Sequence, residues 1–169
     1  LLKSSKKILP VNFLPDADIH EGMMALKELI FDNLTCEKEQ RYLILCWLMS
    51  AFLLEFAPYM GLMKFSGPTE SGKTTAARLL SLLIYGNEHL GDPSTAAAYA
   101  VAAQNPLLII DNLEYDDFTK SILKFLLLSA TKGGKEKRTQ GTDTDTIQEK
   151  PKALVLITAI EPFTKAELI

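Results

Sequence analysis

The sequence predicts an α/β fold: a mainly parallel sheet between two helical layers, a three-layer sandwich, preceded by a small helical segment. Three observations carry this. Short apolar runs at residues 62–66, 107–110 and 153–158 read as strands buried on both faces. Helical stretches alternate with them, which is the pattern of a parallel sheet covered on both sides. A glycine-rich loop stands between the first of these runs and a helix.

The chain has 169 residues, enough for one domain and a small appendage. With 47% hydrophobic and 23% charged residues it has an ordinary globular composition. A net charge of −3 gives no global attraction to nucleic acid, so any such contact has to come from a local patch. Cys36 and Cys46 lack partner histidines at metal-ligand spacing, and Cys46, in an apolar run, reads as a buried reduced thiol. The reduced cysteines point to a cytoplasmic setting. The most apolar stretch, residues 42–54, is shorter than the roughly 20 residues that span a bilayer, so no membrane association is expected. The chain starts without Met and stops just after an apolar strand, as a piece of a longer protein would.

In chain order, residues 1–58 form the N-terminal helical segment and residues 59–169 the core. Residues 1–15 read as an extended lead-in with Pro10 and Pro15. Asp16 or Asp18 caps a helix running to Leu34, with Met23, Leu26, Ile30 and Leu34 on one face. Thr35 is a candidate cap for a second helix from about Cys36 to Phe56. Apolar nearly all round from 42 to 54, that helix is expected to be buried or packed on another subunit, with Trp47 in the core. After the strand at 62–66 and the helix at 76–83, Tyr85-Gly86-Asn87 makes a turn. Residues 88–90 suggest a short strand, with His89 at its end or at the surface. Asp92-Pro93-Ser94-Thr95 starts an alanine-rich helix that ends at Gln104-Asn105-Pro106, and residues 119–131 make another helix. Residues 132–152 are polar and turn-rich.

Gly67-Pro68-Thr69-Glu70-Ser71-Gly72-Lys73-Thr74-Thr75 fits the P-loop pattern without mismatch, and its flanks are the strand and helix that the pattern requires. Gly67 and Gly72 let the backbone turn successive N–H groups inward to phosphate oxygens, and the following helix adds its positive end. Lys73 reaches the terminal phosphates and the Thr74 hydroxyl holds a magnesium ion. The sequence therefore predicts binding of a nucleoside triphosphate, ATP with Mg2+. A magnesium–triphosphate site needs a carboxylate at the end of a neighbouring strand. Asp111, behind four apolar residues, is so placed. Hydrolysis also needs a group that orients water. The residue directly after Asp111 is Asn112, which cannot accept a proton, so Glu114 is the candidate, either swinging in from its loop or standing there as a solvated acid.

From Gly61 to Glu161 the chain resembles the superfamily III helicases and related viral and plasmid primase-helicase ATPases, an AAA+-like branch. The likeness rests on the short spacing from Lys73 to Asp111, on Thr131-Lys132-Gly133-Gly134-Lys135-Glu136-Lys137-Arg138, similar to a basic hairpin loop, and on residues 155–161, which look like a sensor strand. Thr158 stands where the family usually has an Asn facing the γ-phosphate. The resemblance implies a sensor strand between the P-loop strand and the Asp111 strand, and a helical bundle ahead of the core. It also implies a homo-oligomer, often a ring, with an arginine finger in trans. The chain's arginines are Arg41, Arg78 and Arg138.

Lys132, Lys135, Lys137 and Arg138 form the densest positive cluster, either a solvated hairpin tip or a phosphate-binding loop. No aromatic residue lies among residues 131–152, so base stacking is not on offer there. The expected activity is an ATPase motor of helicase or primase-helicase type acting on nucleic acid, DNA more than RNA. The alternatives are a nucleotide-dependent switch or defence-type ATPase with slow turnover, and a small-molecule kinase with residues 132–148 as a lid; no arginine-rich lid supports the last.

Overall fold

The computed structural model describes residues 9–10, 15–138 and 146–160. Three parallel strands, β1 (Leu62–Ser66), β2 (Leu107–Ile110) and β5 (Leu154–Ala159), form one sheet in the order β1-β5-β2. Leu62 pairs with Val155 and Phe65 with Thr158, while Leu107 pairs with Leu154 and Ile110 with Ile157. Every residue of β2 and β5 is buried, as continuous apolar runs require of strands covered on both faces.

Strand alternation divides the core in two. Leu107, Ile109, Leu154 and Leu156 point to one face, where they meet Ala77, Leu80 and Tyr85 of α3 (Lys73–Tyr85). The same cluster takes in Ile30 of α1 (Ile19–Asn33) and Ile44, Trp47 and Leu48 of α2 (Lys38–Met49). Leu108, Ile110, Val155 and Ile157 point the other way. There they pack on α4 (Thr95–Gln104), through Ala98, Tyr99 and Ala102, and on α5 (Lys120–Thr131), through Phe125 and Leu126. The three-layer α/β sandwich expected from the sequence is present.

Local chemistry explains the element ends. Asp18 caps α1 by accepting the His20 N–H at 2.8 Å, and Ser94 and Thr119 cap α4 and α5 in the same manner. Gly86, at φ +74°, closes α3 with its N–H on the Leu82 carbonyl. At α2 the cap is Glu37, in a reciprocal box with Gln40, in place of the expected Thr35.

The second helix differs from expectation. It is α-helical only over Lys38–Met49 and tightens into a 3₁₀ turn over Ser50–Leu53. Trp47 is core, its indole N–H on the Gly61 carbonyl at 2.7 Å. But Leu43, Phe52 and Phe56 are 64%, 57% and 82% exposed, and Cys46 is exposed too. More than three turns of mostly apolar residues outnumber the positions that one packed face can hold. Residues 88–90 form no strand; a single parallel bridge joins Gly91 to Ile110. Within the turn-rich stretch, β3 (Lys135–Arg138) pairs antiparallel with β4 (Thr146–Glu149), Lys135 opposite Glu149 and Arg138 opposite Thr146. Residues 139–145 and Glu161 lie outside the described residues.

Candidate nucleotide and metal site

The site lies at the C-terminal edge of the sheet, where β1 turns into α3 and β2 and β5 end. Between Ser66 and Lys73 the chain makes a tight loop. Glu70 and Gly72 sit in the left-handed region, at φ +64° and +84°. A side chain at Gly67 would meet the Ser71 hydroxyl at 3.1 Å, so glycine there permits the close turn. The Lys73 ammonium donates to the Gly67 and Pro68 carbonyls, both at 2.7 Å, and lies 3.3 Å from Ser71 Oγ. These carbonyls fold the lysine back over its own loop.

Thr74, in the first turn of α3, donates from its hydroxyl to Asp111 Oδ1 at 3.1 Å, across 37 residues of sequence. Asp111 follows β2, and its N–H is held by the Gly91 carbonyl. The Thr158 hydroxyl, on β5, donates to the same Asp111 Oδ1 at 2.6 Å and accepts the Asn112 N–H at 2.8 Å. Three residues that sequence reasoning placed in one site thus meet in a hydrogen-bonded chain. The sheet order has the strand carrying Thr158 between the loop strand and the Asp111 strand, the order the resemblance implied.

A hydroxyl and a carboxylate on neighbouring elements are hard oxygen donors, the set that Mg2+ takes when phosphates and water complete its shell. Among the described residues no group of three or more His, Cys, Asp or Glu side chains gathers as a closed metal cage. The donor set therefore fits a metal brought in with a phosphate ligand.

Glu114 stands apart from this chain. Its Oε1 accepts the Ile160 N–H at 2.8 Å, and its own N–H bonds to Asp117. Lys64, at the middle of β1, feels the Glu114 carboxylate; burial holds its ammonium pKa below the usual value and that carboxylate partly restores it. Sequence reading missed Lys64, although a lone lysine inside an apolar strand was the available signal.

The basic cluster is divided. Lys132, in the left-handed region at the end of α5, gives its ammonium to the Leu54 carbonyl. Lys152 pairs with both Glu55 carboxylate oxygens at 3.1 Å. Both roots of the hairpin are therefore fastened to two consecutive residues of the helical segment. Lys135, Lys137 and Arg138 lie on β3. Among the arginines, Arg41 is spent on the Phe31 and Cys36 carbonyls at 2.9 Å, and Arg78 pairs at the surface with Glu88. No helix among the described residues is long and apolar enough to cross a membrane.

No protein-family model matches the chain, and no curated protein matches it. Among solved structures, the apo structure of the NrS-1 C-terminal region (305–718) is similar over 92% of this chain and 36% of that one, with 19% identity and a TM-score of 0.51. The A form apo structure of the same region aligns at 19% identity with a TM-score of 0.47, over 92% of this chain and 35% of that one. The chain spans about a third of the length of those structures. The likeness to the first is one of fold, and it covers nearly the whole chain.

Proposed function

We propose that this chain is the ATP-binding and hydrolysing core of a P-loop motor, of helicase or primase-helicase type, that acts on nucleic acid. The observation that carries the reading is the hydrogen bond from Thr74, in the first turn of α3, to Asp111, just after β2, in a sheet of order β1-β5-β2. Residues 67–75 would take the triphosphate. Lys73 would exchange the Gly67 and Pro68 carbonyls for β- and γ-phosphate oxygens, spreading positive charge where negative charge develops. Thr74 and Asp111 would hold Mg2+, which supplies further neutralisation of phosphate charge when bound. Glu114 would orient water after leaving the Ile160 N–H. Lys135, Lys137 and Arg138 would contact nucleic-acid phosphates, DNA more than RNA, in an oligomer of identical chains.

The test is steady-state ATP hydrolysis with and without single-stranded DNA. Stimulation by DNA that Lys135→Ala with Lys137→Ala removes supports the motor. A nucleotide-dependent switch with slow turnover is the second reading, favoured by the Glu114 carboxylate being tied to Ile160 and by Asn112 directly after Asp111. It predicts bound ATP and turnover indifferent to DNA.

A further inference from the structure

Thr158 is 1% exposed, and both capacities of its hydroxyl are in use. It donates to Asp111 Oδ1 and accepts the Asn112 N–H, while its backbone carbonyl accepts the Leu113 N–H at 2.9 Å. One residue of β5 therefore fixes three consecutive residues of the turn after β2. Asn112 sits at φ +59°, in the left-handed region that Asn enters more readily than most residues, and the Thr158 hydroxyl holds its N–H in that turn. A buried hydroxyl with its donor and acceptor both satisfied has no group left to offer a phosphate oxygen.

We propose that Thr158 is a positioning residue that acts through Asp111. It orients the metal carboxylate beside Thr74 and sets the affinity for the cation, and it makes no contact with the terminal phosphate. The inference rests on the nucleotide-site reading above. Residues that hydrogen-bond a metal-binding carboxylate from behind fix its rotamer, and their loss typically weakens metal binding about 10–100-fold.

Thr158→Val keeps the shape, removes the hydroxyl and leaves the Asn112 N–H without its acceptor. In titrations of the ATP complex followed by electron paramagnetic resonance, Thr158→Val should bind Mn2+ about 10–100-fold more weakly than wild type. Thr158→Ser should restore the wild-type value. ATP affinity in EDTA should be the same in all three. Without any ligand, amide hydrogen exchange at Asn112 and Leu113 should be faster in Thr158→Val. If that variant fails to fold, Thr158→Cys, with a weaker donor of similar size, should give an intermediate Mn2+ affinity.

Unchanged Mn2+ affinity with a fall in turnover in Thr158→Val would overturn the proposal and assign Thr158 a phosphate contact. Unchanged exchange at Asn112 and Leu113 would overturn it as well. If wild type binds no Mn2+ with ATP, the nucleotide reading fails, and the exchange arm still reads the hold on the turn by itself.

Discussion

Glu114 Oε1 accepts the backbone N–H of Ile160 at 2.8 Å, so this carboxylate is anchored just past the end of β5. The carboxylate also acts electrostatically on the Lys64 ammonium, so both Ile160 and Lys64 bear on where it stands. Glu114→Gln should leave ATP binding within about twofold of wild type and cut turnover about 10²–10⁴-fold, as loss of a general base does. Parallel binding and steady-state assays check this. Turnover equal to wild type would assign water orientation to another group.

Lys64 and Glu114 report on each other. The Lys64 ammonium already lies below its usual pKa through burial, and the Glu114 carboxylate pulls it back up. Glu114→Gln removes the upward pull, so the Lys64 pKa should fall further and more of the neutral amine should be present at a given pH. Amine-reactive labelling at fixed pH should then modify Lys64 faster in Glu114→Gln than in wild type. An equal or slower rate would place the carboxylate elsewhere.

Tyr85 ties the end of α3 to the start of β2. Its hydroxyl donates to the Leu107 carbonyl and accepts the Leu107 N–H at 3.2 Å. Burial pushes its pKa up to about 12, against a pull downward from the bond to Leu107. The folded value lies above the unfolded one, near 10, so this group's stabilisation is whole below pH 10 and is lost as pH rises towards 12. The loss is on the order of 2 kcal/mol. Tyr85→Phe should lower stability at neutral pH by about 1–3 kcal/mol, through the unpaired Leu107 groups, and flatten the fall above pH 10. Denaturant melts at pH 8 and pH 11 measure both effects.

Lys132 belongs with the scaffold. Its ammonium satisfies the Leu54 carbonyl, so Lys132→Met should destabilise the fold by about 1 kcal/mol. The salt dependence of DNA binding should stay unchanged. Lys135→Ala with Lys137→Ala should instead reduce the slope of log affinity against log salt by about 1–2 while leaving thermal stability near wild type. The reverse pattern would exchange their roles.

Much of this architecture can be read in the sequence because its signals are local. Residues 62–66, 107–110 and 154–159 are largely apolar runs, and the glycine-lysine loop falls between the first of them and its helix. Thr74 and Asp111 were legible through spacing and a strand end, and Thr158 only through the family resemblance; their distances and the burial of Thr158 depend on how the strands pair. The second helix misled because hydrophobicity records no direction. Nothing local tells Trp47, which finds Gly61, from Leu43 or Cys46, which face out. The Glu37 cap was hidden behind Thr35, a better cap by type. The tether of Lys132 to Leu54 joins residues 78 positions apart, beyond any pattern in the chain.

Titration calorimetry of ATP with Mg2+ into wild type and Lys73→Ala tests the nucleotide site at its lysine. Wild type should show a single site that weakens when Mg2+ is replaced by EDTA and that is lost in Lys73→Ala, with the variant's fold intact by circular dichroism. Equal ATP affinity in the two folded proteins, or no binding by wild type with Mg2+ present, would contradict it.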